Sequence, residues 1–223
     1  MEEFFIKYGP LLIQGTIDTL YMTLVSTFFS YLFGVPMGVV LTITKRNAIA
    51  ESPTFNYIFG WIVNIGRSIP FIILMIFVIP FTRFIAGTSI GATAANVPLI
   101  LAATPFVARV VEQSLEEVDR GVIEASKCMG ASNMQIITRV MLVESMPSLL
   151  RGLSISTITI LGYTAITGAV GAGGLGNLAF RFGYQRYQDD VMYSTVILLI
   201  ILVCLIQWAS NWAAAKSDKK IIK

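Results

Sequence analysis

Five stretches of this 223-residue chain are apolar over the length of a membrane-crossing helix, and they leave little room for any other design. They cover about residues 16–44, 57–80, 92–111, 149–170 and 191–212. A spanning helix needs roughly 20 mainly apolar residues, and each stretch supplies about that number. Charged residues make up only 13% of the chain, about half the soluble average, while hydrophobic residues make up 55%. The expected fold class is an all-α membrane protein with five transmembrane helices. The helical domain is expected over residues 12–213, followed by a basic tail at 214–223.

Lysine and arginine set the orientation. Lys45 and Arg46 follow the first stretch. Arg109, Arg120, Lys127 and Arg139 follow the third, and Lys216, Lys219, Lys220 and Lys223 follow the fifth. The opposite side carries only Lys7, Arg83, Arg181 and Arg186. The bias places the C-terminal tail and the segment after the third stretch in the cytoplasm, and the N-terminus outside. The opening MEEFFIKYGP is acidic and lacks a signal-peptide n-region, so the first apolar run is expected to be retained.

Several chemistries are excluded. The chain has no histidine, which removes Ser-His-Asp and Cys-His catalysis and every histidine metal site. Its two cysteines, Cys128 and Cys204, lie in unlike surroundings and suggest no disulfide framework. No G-x-x-x-x-G-K-[ST] loop is present, and a net charge of +3 spread along the chain does not suggest nucleic-acid binding. GAGGLG at residues 171–176 spells a dinucleotide fingerprint but lacks the preceding strand and the βαβ setting. It reads instead as a flexible or tightly turned outer loop, leading into the aromatic and basic NLAFRFGYQRYQDD.

Within the apolar stretches, Gly34 and Gly38 form a G-x-x-x-G that lets another helix approach closely. In the fourth, Gly152, Ser156, Thr159, Tyr163 and Thr167 recur at spacings of three and four and share one helical face. That face is either a packing seam of small and hydroxyl residues or the lining of a transport path; both readings point it inward. Arg67 lies in VNIGRSIPFIIL, inside the second stretch. Either it faces protein or water within the membrane, or the stretch begins near Pro70 and Arg67 snorkels to the headgroups.

The segment between the third and fourth stretches, residues 116–147, gathers much of the charge. Asp119 can cap a helix from Arg120 through Glu124 to Met129. Gly130 fits the left-handed position that ends many helices. Ser132 with Gln135 spells a capping box for a second helix over Asn133 to Met146, and Pro147 opens the fourth span. The segment reads as helix, glycine turn, helix. Val122, Ile123, Ala125, Met129, Ile136 and Ile137 need a cover there. It is either the chain's own cytoplasmic end or a docked soluble protein.

Glu124-Ala125-Ser126, followed after three residues by Gly130, resembles the EAA-x3-G loop of ABC-importer permeases. RSIPFIIL (Arg67 to Leu74), IPFTR (Ile79 to Arg83), GTSIG (Gly87 to Gly91) and GAVGAGGLG (Gly168 to Gly176) are similar to the methionine-importer subfamily. The resemblance covers nearly the whole chain. It implies a type I importer permease fold in a bacterial inner membrane, with Glu124, Ala125, Ser126 and Gly130 coupling to a cytoplasmic ATPase. It further implies a permease homodimer, two ATPase subunits and an external solute-binding lipoprotein. No cofactor is expected in this chain; ATP and Mg belong to the ATPase. The cargo implied is methionine, with the D form and other small amino acids left open. Path-lining candidates are Arg67, Ser156, Thr159, Tyr163 and Thr167. Two departures stand out: Ser126 replaces alanine, and Val143 stands where the family often has proline, which predicts a straighter second helix. The rival classes are a self-sufficient secondary transporter or channel, and an intramembrane enzyme. The first lacks an obvious repeat, and the second lacks histidine and clustered acids within the spans.

Overall fold

A computed structural model describes residues 2–217. Lys219, Lys220 and Lys223 of the expected basic tail lie outside the described residues, as does Met1. The described chain is helical along its apolar stretches, apart from breaks in the second at Ile69, Pro70 and Val78. Helix α1 (Glu2–Ile43) is followed by α2 (Pro53–Ser68), α3 (Phe71–Phe77), α4 (Ile79–Ala86) and α5 (Ala92–Glu116). After α6 (Arg120–Cys128), α7 (Asn133–Gln135) and α8 (Leu142–Glu144) come α9 (Met146–Thr167), α10 (Gly174–Leu178) and α11 (Asp189–Ser217). Three π-helical segments lie between them, Ile136–Met141, Gly168–Ala172 and Ala179–Tyr184.

Among the described residues, four helices are long and apolar enough to cross a membrane: Ile6–Ile43, Ala92–Glu116, Met146–Ala172 and Asp189–Ser217. The expected second span, 57–80, is not one straight helix. It is a sharply bent pair, Pro53–Ser68 and Phe71–Phe77, and the layout has five spans when the pair counts as one. Pro70 is the cause. It disfavours helical geometry at Ile69 and itself sits at φ −56, ψ 133 as the residue before α3.

The chain divides into two compact units. One comprises the residues up to Phe29, Ile69–Ala103 and Thr157–Gln207. Its first core gathers Met22, Phe71, Met75, Leu99 and Ala172; a second gathers Leu12, Leu161, Leu175, Leu178 and Leu202. Ser26 Oγ donates to Asn96 Oδ1 at 2.9 Å, fully buried, the kind of polar contact that holds helices together where lipid offers no hydrophobic drive. The glycine-rich segment 168–176 is tightly turned and packed inside this unit. Gly171, Gly173 and Gly174 take φ of 101, 86 and 77. Thr19 Oγ1 accepts the buried Leu175 N–H at 2.9 Å, and Asn177 Nδ2 donates to the Gly168 carbonyl at 3.0 Å.

The other unit comprises Ser30–Ser68, Thr104–Ser156 and the chain from Trp208. Gly34 and Gly38 do what their spacing predicts. A Cβ on Gly34 would stand 2.6 Å from Val107 Cγ1, and one on Gly38 would stand 2.6 Å from the Ala108 carbonyl oxygen. Glycine is thus what allows α1 to touch α5. The unit's main core is Val107, Val111, Leu115, Ile136 and Met141, with Leu41, Val63 and Ala108 beside α2 forming a smaller one.

Candidate docking site

Residues 116–135 fold as their sequence predicts, and the causes are local. The Asp119 side chain accepts the Gly121 N–H at 2.6 Å and caps α6, an interaction worth about 1 kcal/mol. The helix ends in a Schellman turn. Ala131 N–H bonds back to the Ser126 carbonyl at 3.1 Å, Gly130 N–H bonds to the Lys127 carbonyl at 2.9 Å, and Gly130 takes φ +81. Ser126, at the departing motif position, is 5% exposed, and its hydroxyl donates to the Val122 carbonyl at 2.8 Å. The capping box is complete. Ser132 Oγ accepts the Gln135 N–H at 3.4 Å, and Gln135 Oε1 accepts the Ser132 N–H at 2.8 Å.

Beyond Gln135 the structure corrects the sequence. The second helix runs without a gap from Asn133 to Glu144, two residues short of Met146, but it is not a plain α-helix. It widens into a π turn at Ile136–Met141, and α8 stops at Ser145, whose φ is −83 and ψ 0. The reason is packing. Ile136 and Met141 are 0% and 3% exposed and share one core, yet stand five apart, a spacing that an α-helix would put on different faces. Pro147 then falls in the first turn of α9, where a missing N–H costs nothing.

The apolar residues of the segment divide by direction. Ile136 is buried, and Ile123 and Ile137 are half-buried against the core. Each such residue withdrawn from water contributes roughly 1.5–3 kcal/mol if fully buried. Val122, Ala125 and Met129 face outward, with Met129 80% exposed. Met134, which the sequence reading passed over, is 68% exposed. Its signal was its place in the first turn after the capping box, away from the core. Glu124, Ala125, Cys128 and Gly130 are exposed too, and a Cβ on Gly130 would meet nothing within 4 Å. The turn therefore leaves two adaptable methionines and a small residue uncovered on a rigid base.

An ion cluster, which the sequence showed only as scattered charges, anchors this base. Glu112 is 3% exposed. Its carboxylate meets Lys45 Nζ at 2.7 Å and Arg109 Nη1 at 2.6 Å, and Lys45 also pairs with Glu116. Arg109 Nη2 donates to the Gly60 carbonyl and to Asn64 Oδ1, each at 2.9 Å. Burial pulls the Lys45 pKa down, but hydrogen bonds and charge from Glu112 and Glu116 outweigh it and hold the ammonium above its ordinary 10.5.

The path-lining candidates part company. Ser156 is fully buried and accepts the Tyr31 hydroxyl at 3.3 Å; Thr167 is 1% exposed and donates to the Thr164 carbonyl at 2.9 Å. Both serve packing within the chain. Thr159 and Tyr163 keep partial exposure, and the Tyr163 ring stacks on Phe71 at 4.5 Å between centroids. Arg67 is exposed in the last turn of α2, where a cation suits the helix dipole. The structure brings together Glu124, Ala125, Ser126 and Gly130, and it does not bring Arg67 to them.

Comparison with known proteins matches residues 32–223 to the family described as "Binding-protein-dependent transport system inner membrane component". A probable D-methionine transport system permease protein MetI of Vibrio cholerae is 44% identical over 220 residues, covering 99% of this chain and 98% of that protein. The methionine import system permease protein MetP of Bacillus subtilis is 45% identical over 207 residues, covering 93% of each. A solved structure of the MetNI methionine ABC transporter in an inward-facing conformation superposes with a TM-score of 0.94 at 47% identity, over 96% of this chain and 99% of that one. An amino acid ABC transporter at 17% identity, with a TM-score of 0.77, shares the fold.

Proposed function

Because the chain belongs to the family of binding-protein-dependent transport system inner-membrane components, we propose that it is the permease of an ABC importer passing methionine into the cytoplasm. The observation that carries the reading is identity of 44% spread over 99% of the chain to a methionine permease, rather than confined to one motif. Two copies form the path on a two-fold axis, since five spans in one chain enclose little room. The α6 turn seats in a cleft of a separate ATPase, whose bound ATP and Mg supply the energy. An external binding protein delivers the amino acid. The lysine and arginine bias puts α6 and the C-terminal tail in the cytoplasm and the N-terminus outside. Thr159, Tyr163 and Arg67, which keep exposed surface, face the path; Ser156 and Thr167 shape the helix that carries it.

The test is uptake of labelled L- and D-methionine by proteoliposomes holding this chain, its ATPase and its binding protein, with other small amino acids as competitors. ATP-dependent uptake suppressed by unlabelled methionine is expected. Uptake that proceeds without the ATPase, or that methionine does not compete, overturns the reading.

A further inference from the structure

Helix α6 has two unlike faces. Val122, Ala125 and Met129 look outward, while Arg120, Ile123, Glu124 and Lys127, at helical spacing of three and four, line a cavity of about 530 Å³. Its other wall is the end of α1, Thr42 and Ile43, with the loop that follows, including Lys45, Arg46 and Ile49. The cavity therefore sits at the end of a helix long and apolar enough to cross a membrane.

Its charge is unbalanced. Lys45 is already engaged by Glu112 and Glu116. Arg46, Arg120 and Lys127 form no ion pair with any described residue; of the two acids in the lining, Glu116 pairs with Lys45, which leaves Glu124 to offset the three. Ile49, Leu115 and Ile123 give the cavity apolar surface beside these cations. Cations beside apolar surface suit an anion joined to something greasy. Basic pockets between membrane helices at headgroup depth hold anionic lipids in this way.

We propose that this cavity binds the phosphodiester headgroup of an anionic phospholipid, with Arg46, Arg120 and Lys127 on the phosphate and the glycerol end against Ile49 and Ile123. Bound there, the lipid ties α6 to the end of α1 and steadies the docking turn. The site depends on the membrane setting and the orientation, not on which amino acid is carried. A failure of methionine transport therefore leaves it standing. Inorganic phosphate offers at least as much charge without the apolar contact and is expected to bind far more weakly.

The test uses purified full-length permease, alone and with its ATPase, in mixed micelles of phosphatidylglycerol and phosphatidylcholine, with retained lipid quantified by mass spectrometry. Phosphatidylglycerol is expected to be enriched. The triple variant Arg46→Gln, Arg120→Gln, Lys127→Gln should lower the enrichment by roughly tenfold, as expected on losing charge-assisted bonds to phosphate. Glu124→Gln should raise it, and Arg46→Gln alone should give an intermediate loss, which guards against misfolding of the triple variant. Enrichment unchanged in the triple variant overturns the proposal. So does displacement of the lipid by millimolar inorganic phosphate, which marks a free-anion site. Loss of ATPase binding in the triple variant with lipid retention intact assigns the cations to a protein interface and also overturns it.

Discussion

Two glycine turns in this chain differ in what surrounds them. Gly130 ends α6 at φ +81 with open space where a side chain would go. Gly176 has ordinary helical geometry, yet a Cβ there would stand 2.6 Å from the Ala165 Cα, and Gly174 combines φ +77 with a Cβ 2.7 Å from Thr19 Oγ1. The first turn needs glycine for its backbone angle alone and leaves its surroundings free. The second needs glycine for its angles and, at Gly174 and Gly176, for room as well. Open space around a strongly specified turn is what the proposed docking there requires. Closed space marks a joint sealed within the chain.

The contrast can be broken at each end. Gly176→Val has the largest expected effect, because α10 must leave its seat; a stability loss above about 3 kcal/mol is expected, beyond ordinary overpacking. A sharp fall in melting temperature in detergent and poor membrane yield would register it, and a wild-type melting curve would refute the closed reading. Thr19→Val comes next. It strands the buried Leu175 N–H, at a cost of about 1–3 kcal/mol, whereas Thr19→Ser should keep the bond and most of the stability.

Gly130→Val should cost less in folding, about 1–2 kcal/mol of left-handed strain, and leave the spans inserted. Its effect belongs to function: weaker ATPase binding, or ATP turnover uncoupled from uptake. Gly130→Asn should be milder, since asparagine tolerates that angle. Cys128, exposed two residues away, should react with thiol reagents in the isolated permease and be protected in the complex. Normal uptake by the valine variant, with Cys128 equally reactive in both states, would show that the open turn docks nothing.

The smallest effect is one of pH. A lysine whose folded pKa lies above its ordinary 10.5 contributes its stability in full below that value and loses it as pH rises through the folded pKa. The Lys45 cluster should therefore leave melting temperature flat from neutral pH up to about 10.5, and weaken only in stronger base. In Lys45→Met that alkaline loss should vanish. A Lys45-dependent decline already evident near neutral pH would contradict the assignment.

The turn at Gly130 was legible because its determinants sit within a few residues: Asp119 before the helix, glycine after it, Ser132 and Gln135 facing each other. The type I permease architecture was legible because residues 67–91 and 168–176 carry subfamily strings as well as apolar length. The break between α2 and α3 was half legible. Pro70 signalled it, but the apolar run continued across and read as one span. The Lys45–Glu112–Arg109 cluster was invisible, since no local pattern joins the end of α1 to the middle of α5 and α2. The stripe on α9 was legible as a shared helical face from its spacing, but its division into packed Ser156 and Thr167 and partly exposed Thr159 and Tyr163 depends on neighbours far away in sequence.

The π turn at Ile136–Met141 gives the segment a residue to spare. A widened turn completes its circle with one residue more than an α-helical turn does. Deleting a single residue from it would let the segment relax into a plain helix with its phase against α9 kept. The same deletion in an ordinary helical stretch, such as the middle of α6, would rotate what lies beyond it by about 100°. The widened turn is thus a place where the chain can lose a residue and still aim the capping box, the glycine turn and the two methionines as before.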